Sequence, residues 1–380
     1  MKFVVSKTAI EKVVKDICRV ISTKNALPIL GDILCEVKDD VNVLHLVGSD
    51  SEIWLQSEIA LMEAEGSGKF CVDANRLKDA LSQLTEQPIT IIADTENGTD
   101  AHFELQHESG KVYSPVEDAN EYPTVPDATD TILVSMQAKK VAAAINTVIT
   151  AVAQDDLRPI MNGVCFNFTK QYADVVGSDG HVIMRYREDE NHLAYGSFIM
   201  PKKVAAMLPK MLDWVDADDT ADIMWNDMHG VIEQNEWSLT FRLIEGRYPN
   251  YESVIPSDNH LWCQVERSNF ISSIKKVAPF TNDSSEMLNL SFKDTDLTIH
   301  GENCDLSVGA EDRIGIESNI DDLFCIGMKA SSILKVLSRM SYLNVKMSMK
   351  DATHAVVIEG VDNDIDGNIL GLVMPMMLND

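Results

Sequence analysis

The residues with most chemical potential in this sequence are His181, within Ser178-Asp179-Gly180-His181, and the acidic run Asp362, Asp364, Asp366, Gly367. A histidine serves as a general base when a nucleophile or an orienting carboxylate lies within reach. No serine or cysteine nucleophile motif accompanies His181, so it reads as a turn or rim residue. The nine histidines show no H-E-x-x-H or comparable ligand spacing. The acidic run matches the first ligand positions and the glycine of an EF-hand calcium loop, and Ile369 fits its apolar position. Val373, however, stands where the loop requires a bidentate glutamate. It reads as an acidic hairpin turn, and no metal or cofactor is expected. A G-x-x-x-x-G-K-S/T phosphate loop is absent as well, which places ATP hydrolysis elsewhere. Without convergent acid, base or nucleophile, an enzyme is the weakest of the functional classes.

Bulk composition sets the frame. A chain of 380 residues exceeds one ordinary core and implies two or three domains. Its apolar and charged fractions are those of a globular protein. The opening MKFVVSK lacks the apolar stretch of a signal peptide, and no run approaches the length of a membrane span. Seven scattered cysteines without a C-x-x-C pair read as reduced, mostly buried thiols of a cytoplasmic protein. The net charge of −28 argues against nucleic-acid binding only if the charge is evenly spread.

The elements that would position any site come in repeats. LHLVGSDSEIWL at 44–55, ADVVGSDGHVIM at 173–184 and LTIHGENCDLSV at 297–308 share alternation on both sides of a glycine and two polar residues. That pattern predicts hairpins turning at Gly48, Gly177 and Gly301. A second set, starting near Phe70, Phe198 and Phe324, and a third, opening at Phe3, Ile132 and Trp262, each run from a strand into a helix. Tyr122-Pro123 and Tyr248-Pro249 mark joints at the same interval. We therefore expect an α+β chain of three similar domains, 1–126, 127–256 and 257–380, each of two like halves. Val14, Ile17, Ile145, Ile149, Leu208, Ile274 and Leu337 read as helix-to-sheet core.

The charge is sorted by element. Helices expected at 7–21, 73–85, 137–151, 201–213, 267–278 and 329–342 hold 17 of the 32 basic residues and five of the 60 acidic ones. Strands and loops are correspondingly acidic. If the helices share a surface, it is an electrostatic track for a polyanion. They carry few aromatics and no Asn/Gln-Arg cluster for reading bases, so phosphate contact without sequence readout is the expectation.

MKFVVSKTAIEKV, ALPILGDIL (26–34), GSDGHVIM, RYPNYESVIP and the terminal VMPMMLND together resemble the bacterial DNA polymerase III beta subunits, the sliding-clamp family, over the whole length. The resemblance implies a DNA clamp fold, each domain built from two βαβββ units. It implies two chains closing head to tail as a dimeric ring whose helices line the hole around duplex DNA, without catalysis. The implied partners are non-specific duplex DNA, the polymerase III catalytic subunit, a clamp loader, and other polymerases and repair proteins that bind through short apolar peptides. The implied location is cytoplasmic and nucleoid-associated. A protein-interaction scaffold with the same repeat but no DNA role is the competing reading.

The resemblance carries site residues with it. The partner-peptide pocket would comprise Met161, Ser178, Gly180, His181, Val182, Ile183, Pro249, Ser253, Val254, Ala355, Leu372, Val373, Met374, Pro375, Met376 and Met377. Many members have arginine at the positions of Val182 and near Ser253, which makes this pocket less cationic and more apolar. The DNA-facing set would be Lys12, Lys15, Lys24, Arg76, Lys139, Lys140, Lys202, Lys203, Lys210, Lys275, Lys276, Lys335 and Arg339. Where the family has a DNA-contacting glutamine this chain has Asp155, with Gln154 beside it. Phe270, Pro279 and Phe280 are the candidates for ring closure.

Overall fold

The computed structural model describes the chain except Thr23, Ala26, 96–100, Asp156, Ala217, 362–367 and 379–380. Six α-helices lie among the described residues: α1 (Lys7–Val20), α2 (Ala74–Ser82), α3 (Ala138–Val148), α4 (Lys202–Met211), α5 (Arg267–Val277) and α6 (Ala330–Leu337). Each follows one strand and precedes three, with the short strands Glu63–Glu65 and Glu317–Ser318 added between the halves of the first and last thirds. The expected βαβββ order thus occurs six times, twice in each third of the chain.

Local chemistry explains the helices. Ser6 caps α1 by accepting from the Ala9 N–H, and Asp73 caps α2 by accepting from the Arg76 N–H at 2.7 Å. In α1, Ile10, Val14 and Ile17 are buried at i, i+4 and i+7, while Lys12, Lys15 and Arg19 lie exposed on other faces. Of the other residues expected in the helix core, Ile145, Leu208, Ile274 and Leu337 are fully buried. Ile149 is half-buried, in the 3-10 turn that follows α3.

The first strand of each half pairs with the other half. Lys2–Ser6 lies antiparallel to Pro88–Asp94, and Asp32–Lys38 to Gly68–Asp73. The same exchange joins Ile132–Gln137 to Thr220–Trp225, Gly163–Phe168 to Gly196–Pro201, Leu261–Glu266 to Asn344–Met349, and Met287–Lys293 to Phe324–Lys329.

The sheets then run past the repeat boundaries. Ile53–Ala60 pairs with Trp237–Arg242 within an eight-stranded sheet, and Val182–Glu188 pairs with Asn368–Val373 within a nine-stranded one. The chain accordingly divides into two compact units: Met1–Gln137 with Asp218–Leu243, and Ala138–Ala217 with Ile244–Asp380. The first unit also holds a five-stranded sheet ending in Gly110–Pro115, and the second a four-stranded sheet ending in Val308–Gly315.

The three repeat glycines are not turn residues. Gly48, Gly177 and Gly301 sit inside the strands Val43–Ser49, Ala173–Ser178 and Asp296–Asn303. A Cβ there would lie 2.2 Å from Ile17 Cγ2, 2.4 Å from the Val148 carbonyl oxygen and 2.6 Å from Thr281 Cγ2, respectively. Each glycine is where a helix, or the turn that ends one, presses on its sheet too closely for any side chain. The hairpins turn at 50–52, 179–181 and 304–307, beginning two or three residues later.

The seven cysteines are unpaired. Burial pushes the thiols of Cys165 and Cys263 up to about 12, which keeps them protonated and unreactive. Cys304, by contrast, is exposed in the hairpin turn after Asn303.

Candidate partner-peptide groove and basic helices

Strand alternation sorts the residues of the second unit's candidate groove. Val182 pairs with Val373, and Ile183 with Leu372. Ile183 and Leu372 join Cys165, Val176, Tyr251, Ala355, Val357 and Leu370 in one apolar cluster, flanked by half-buried Tyr248 and Ile255. Val182 and Val373 point to the opposite face and are fully buried. That face belongs to the helices, since a Cβ on Gly371, of the same parity, would meet Val336 of α6 at 2.2 Å. Val182 and Val373 therefore lie on the helix side of the sheet, while Ile183 and Leu372, themselves buried at 7% and 2% exposure, lie on the other.

Two backbone bonds set the tail beside this face. The Met374 N–H donates to the His181 carbonyl at 2.8 Å, and the Met376 N–H to the Gly327 carbonyl at 2.8 Å. Pro375, which has no N–H to leave unpaired, lies between them. Met374 is 41% and Met377 78% exposed, so thioether side chains stand in solvent beside a turn. Met376 and Pro375 are half-buried.

Of the remaining predicted residues, Met161 and Ser178 are buried. The Ala153 N–H is shared between the carbonyls of Met161 and Ser178, which brings those two together, and Ser178 Oγ accepts from the Gly180 N–H. Gly180 has φ +89°, and a Cβ there would lie 2.6 Å from Arg158 Nη1. Asp179 accepts from the N–H groups of His181 and Val182 and pairs with Lys335 at 2.8 Å. Burial alone would raise its pKa, but Lys335 and those N–H groups outweigh it and hold the carboxyl low. Pro249, Ser253 and Val254 are exposed, and the Ser253 hydroxyl donates to the Asn250 carbonyl.

Residues that sequence reasoning missed anchor the Pro249–Val254 segment. Asp174, fully buried, receives Arg187 in a bidentate pair at 2.7 Å on each oxygen and the Tyr251 hydroxyl at 2.7 Å. Asn167 donates to the Tyr251 oxygen, and Arg187 reaches Glu252 at 3.2 Å. Bonding to Asp174 holds the Arg187 guanidinium above its ordinary value; burial, then Asp174, push the Tyr251 phenol up. Tyr251 stands in the RYPNYESVIP motif, but its partner lies 77 residues away and no local pattern names it.

The basic residues fall into two groups. Lys12, Lys15, Lys24 and Arg76 of the first unit are exposed, with Lys15 paired to Glu11. In the second unit Lys139, Lys203, Lys210, Lys275, Lys276 and Arg339 are exposed. Several meet acids or carbonyls from neighbouring elements: Lys140 with Glu188 at 2.6 Å, Lys276 with Asp312 at 2.9 Å, and Lys335 with Asp179. Lys202 donates to the Val152 carbonyl and Lys139 to that of Asp213. The helices carry few acids of their own, as expected, yet the tertiary fold supplies some. Asp155 accepts from the Leu157 N–H and pairs with Arg158, both of which lower its pKa. Beside it Gln154 lines a cavity of about 500 Å³ with Lys202.

Phe270 is fully buried in the core beneath α5 and cannot reach a partner chain, which removes it from the ring-closure candidates. Pro279 and Phe280, in the 3-10 turn after α5, are exposed. No group of metal-ligating side chains occurs among the described residues; the Asp362, Asp364, Asp366 and Gly367 run lies outside them.

Comparison with known proteins matches this arrangement along the whole chain. Residues 1–126 match the family model for the DNA polymerase III beta subunit N-terminal domain, 135–250 that for the central domain, and 252–377 that for the C-terminal domain. The "Beta sliding clamp" of Haemophilus influenzae is 24% identical over 384 residues, with both chains fully covered. The structure of the DNA polymerase III subunit beta from Pseudomonas aeruginosa superposes with a TM-score of 0.91 at 24% identity over the full length of both chains. The same organism's clamp bound to griselimycin gives 0.92 at the same identity and coverage. With all three domain models matched in order, the chain belongs to the DNA polymerase III beta-subunit family, the bacterial sliding clamps.

Proposed function

We propose that the protein is a DNA sliding clamp: a closed ring that surrounds duplex DNA and tethers the polymerase III catalytic subunit for processive synthesis. The observation that carries this reading is the sorting of positive charge onto helices within a clamp fold. Lysine-dominated contact binds phosphates weakly, without base readout, and leaves the ring free to slide. Retention comes from topology, so no catalysis is needed. A clamp loader opens and closes the ring; other polymerases and repair proteins dock short apolar peptides against Ile183, Leu372 and the exposed Met374 and Met377. The location is cytoplasmic, with the nucleoid.

The three functional domains are 1–126, 127–256 and 257–380, and the ring forms from two chains head to tail. Two free sheet edges support that closure. Gly110–Pro115 ends one sheet with Val112 40% and Tyr113 74% exposed, and Val308–Gly315 ends another. An edge strand presents unpaired N–H and C=O groups, a ready template for pairing with another chain. Phe280, 41% exposed, belongs to the same unit as the second edge. Sedimentation equilibrium tests this: the reading requires a species of twice the 42.2 kDa chain mass, and a monomer at micromolar concentration contradicts it.

A further inference from the structure

Two arginines of one strand leave the groove's face of the nine-stranded sheet beside one buried carboxylate, Asp174, and of the two only Arg187 is bonded to it among the described residues. Arg185 lies between Val176 and Leu370 in register, so its side chain leaves the sheet on the same face as Ile183 and Leu372. It is only 8% exposed, and its Nε is buried with no hydrogen-bond partner among the described residues. The nearest acid on that face, Asp174, has both oxygens taken by Arg187 and one also by Tyr251. Glu359, on the next strand over, is opposite Leu370 and adds some negative potential without a bond to Arg185 among the described residues. A buried guanidinium with an unsatisfied N–H is costly, and the cost falls away when a carboxylate arrives.

We propose that Arg185 is the anion-recognising residue of the partner-peptide groove, taking a carboxylate carried by an otherwise apolar peptide. This rests on the reading of Ile183, Leu372 and Met374 as a peptide-binding surface. It assigns the groove a specificity that its apolar rim does not show. With Val182 buried and Ser253 uncharged, the cation comes from the sheet floor. A guanidinium-to-carboxylate hydrogen bond shielded from water favours the acidic peptide over its amide counterpart by about tenfold or more.

The test uses the full-length protein and short Leu- and Phe-containing peptides. One carries a single Asp and its counterpart carries Asn, each with a free or an amidated C-terminus, and affinity is read by isothermal titration calorimetry. The expected result is about tenfold tighter binding of a carboxylate-bearing peptide. Loss of the preference on Asp→Asn exchange identifies a side-chain carboxylate as the ligand; loss on amidation identifies the terminal one. R185M should erase the preference while still binding the fully neutral peptide, and should melt no lower than the parent because it deletes an unpaired buried charge. R185K should keep part of it. Equal affinities for all four peptides in the parent, or an unchanged preference in R185M, overturns the assignment while leaving the peptide groove intact. If no peptide binds the parent, the groove reading itself fails, and the proposal with it.

Discussion

The N–H of Met374 donates to the carbonyl of His181, so the chain's last strand and the turn that opens Val182–Glu188 are locked together where the candidate groove begins. The bond fixes Met374 in solvent instead of letting the terminus fray, and Met376 on Gly327 fixes the next stretch. The apolar end of an acidic chain is thus held as an ordered, exposed strip. Deleting residues 374–380 should abolish polymerase stimulation and peptide binding, while sedimentation still gives the dimer, because the strand Asn368–Val373 remains paired on both sides. Survival of stimulation would remove the tail from the site.

Gly371 should tolerate no side chain. A Cβ would stand 2.2 Å from Val336 Cγ1, and both residues are fixed in the interface between the nine-stranded sheet and α6. Gly371→Ala should cost about 1–3 kcal/mol through overpacking, read as a lowered thermal midpoint, with Val336→Ala partly restoring it in the double variant. An unchanged midpoint would mean that the helix lies further from the sheet.

Asp32 and Asp73 face each other across an antiparallel pair, and Asp73 caps α2 through the Arg76 N–H. Burial first, then the charges of Asp73 and Glu117, push the Asp32 carboxyl up to about 6. A raised carboxyl pKa means that the folded state binds this proton more tightly than the unfolded chain. Its stabilising contribution is full below the ordinary value of 3.8 and is lost as pH rises through about 6. Asp32→Asn should therefore stabilise the protein at pH 7.5, by about 1 kcal/mol once solvent screening of this half-exposed site is allowed for, and make little difference at pH 4. Thermal melts at the two pH values check this, and equal effects at both would rule out the titration.

The basic residues should separate by partner. Reversing charge at Lys210, Lys275 and Arg339 should weaken direct DNA binding and lower the salt slope by roughly one for each phosphate no longer neutralised, with peptide affinity intact. Lys140→Glu and Lys335→Glu should instead lower stability, by about 1 kcal/mol, since each faces a carboxylate. Filter binding across a salt series and thermal melts distinguish the two sets.

Much of the fold is legible in the sequence because the repeat is threefold: strand-then-helix segments at a constant interval locate all six helices to within a few residues. Glycine before polar residues resembles a turn, and sequence cannot separate that from a glycine pressed by a helix, which is what Gly48, Gly177 and Gly301 are. A motif also ignores the period-two alternation of a strand, so it groups Val182 with Ile183 although the pleat sends them to opposite faces. Phe270 fails as a closure residue for the same kind of reason, since its helical face is buried. Asp174, Arg185, Arg187 and Tyr251 meet only through sheet pairing and a long return of the chain, which no local spacing announces.

The central claim is topological, and a nicked circular duplex tests it most directly. Loaded by an ATP-driven clamp loader, the protein should stay on the circle through salt that abolishes direct binding, and leave when the circle is cut once. Salt-sensitive binding that ignores linearisation, or no loader-dependent retention at all, would contradict the account.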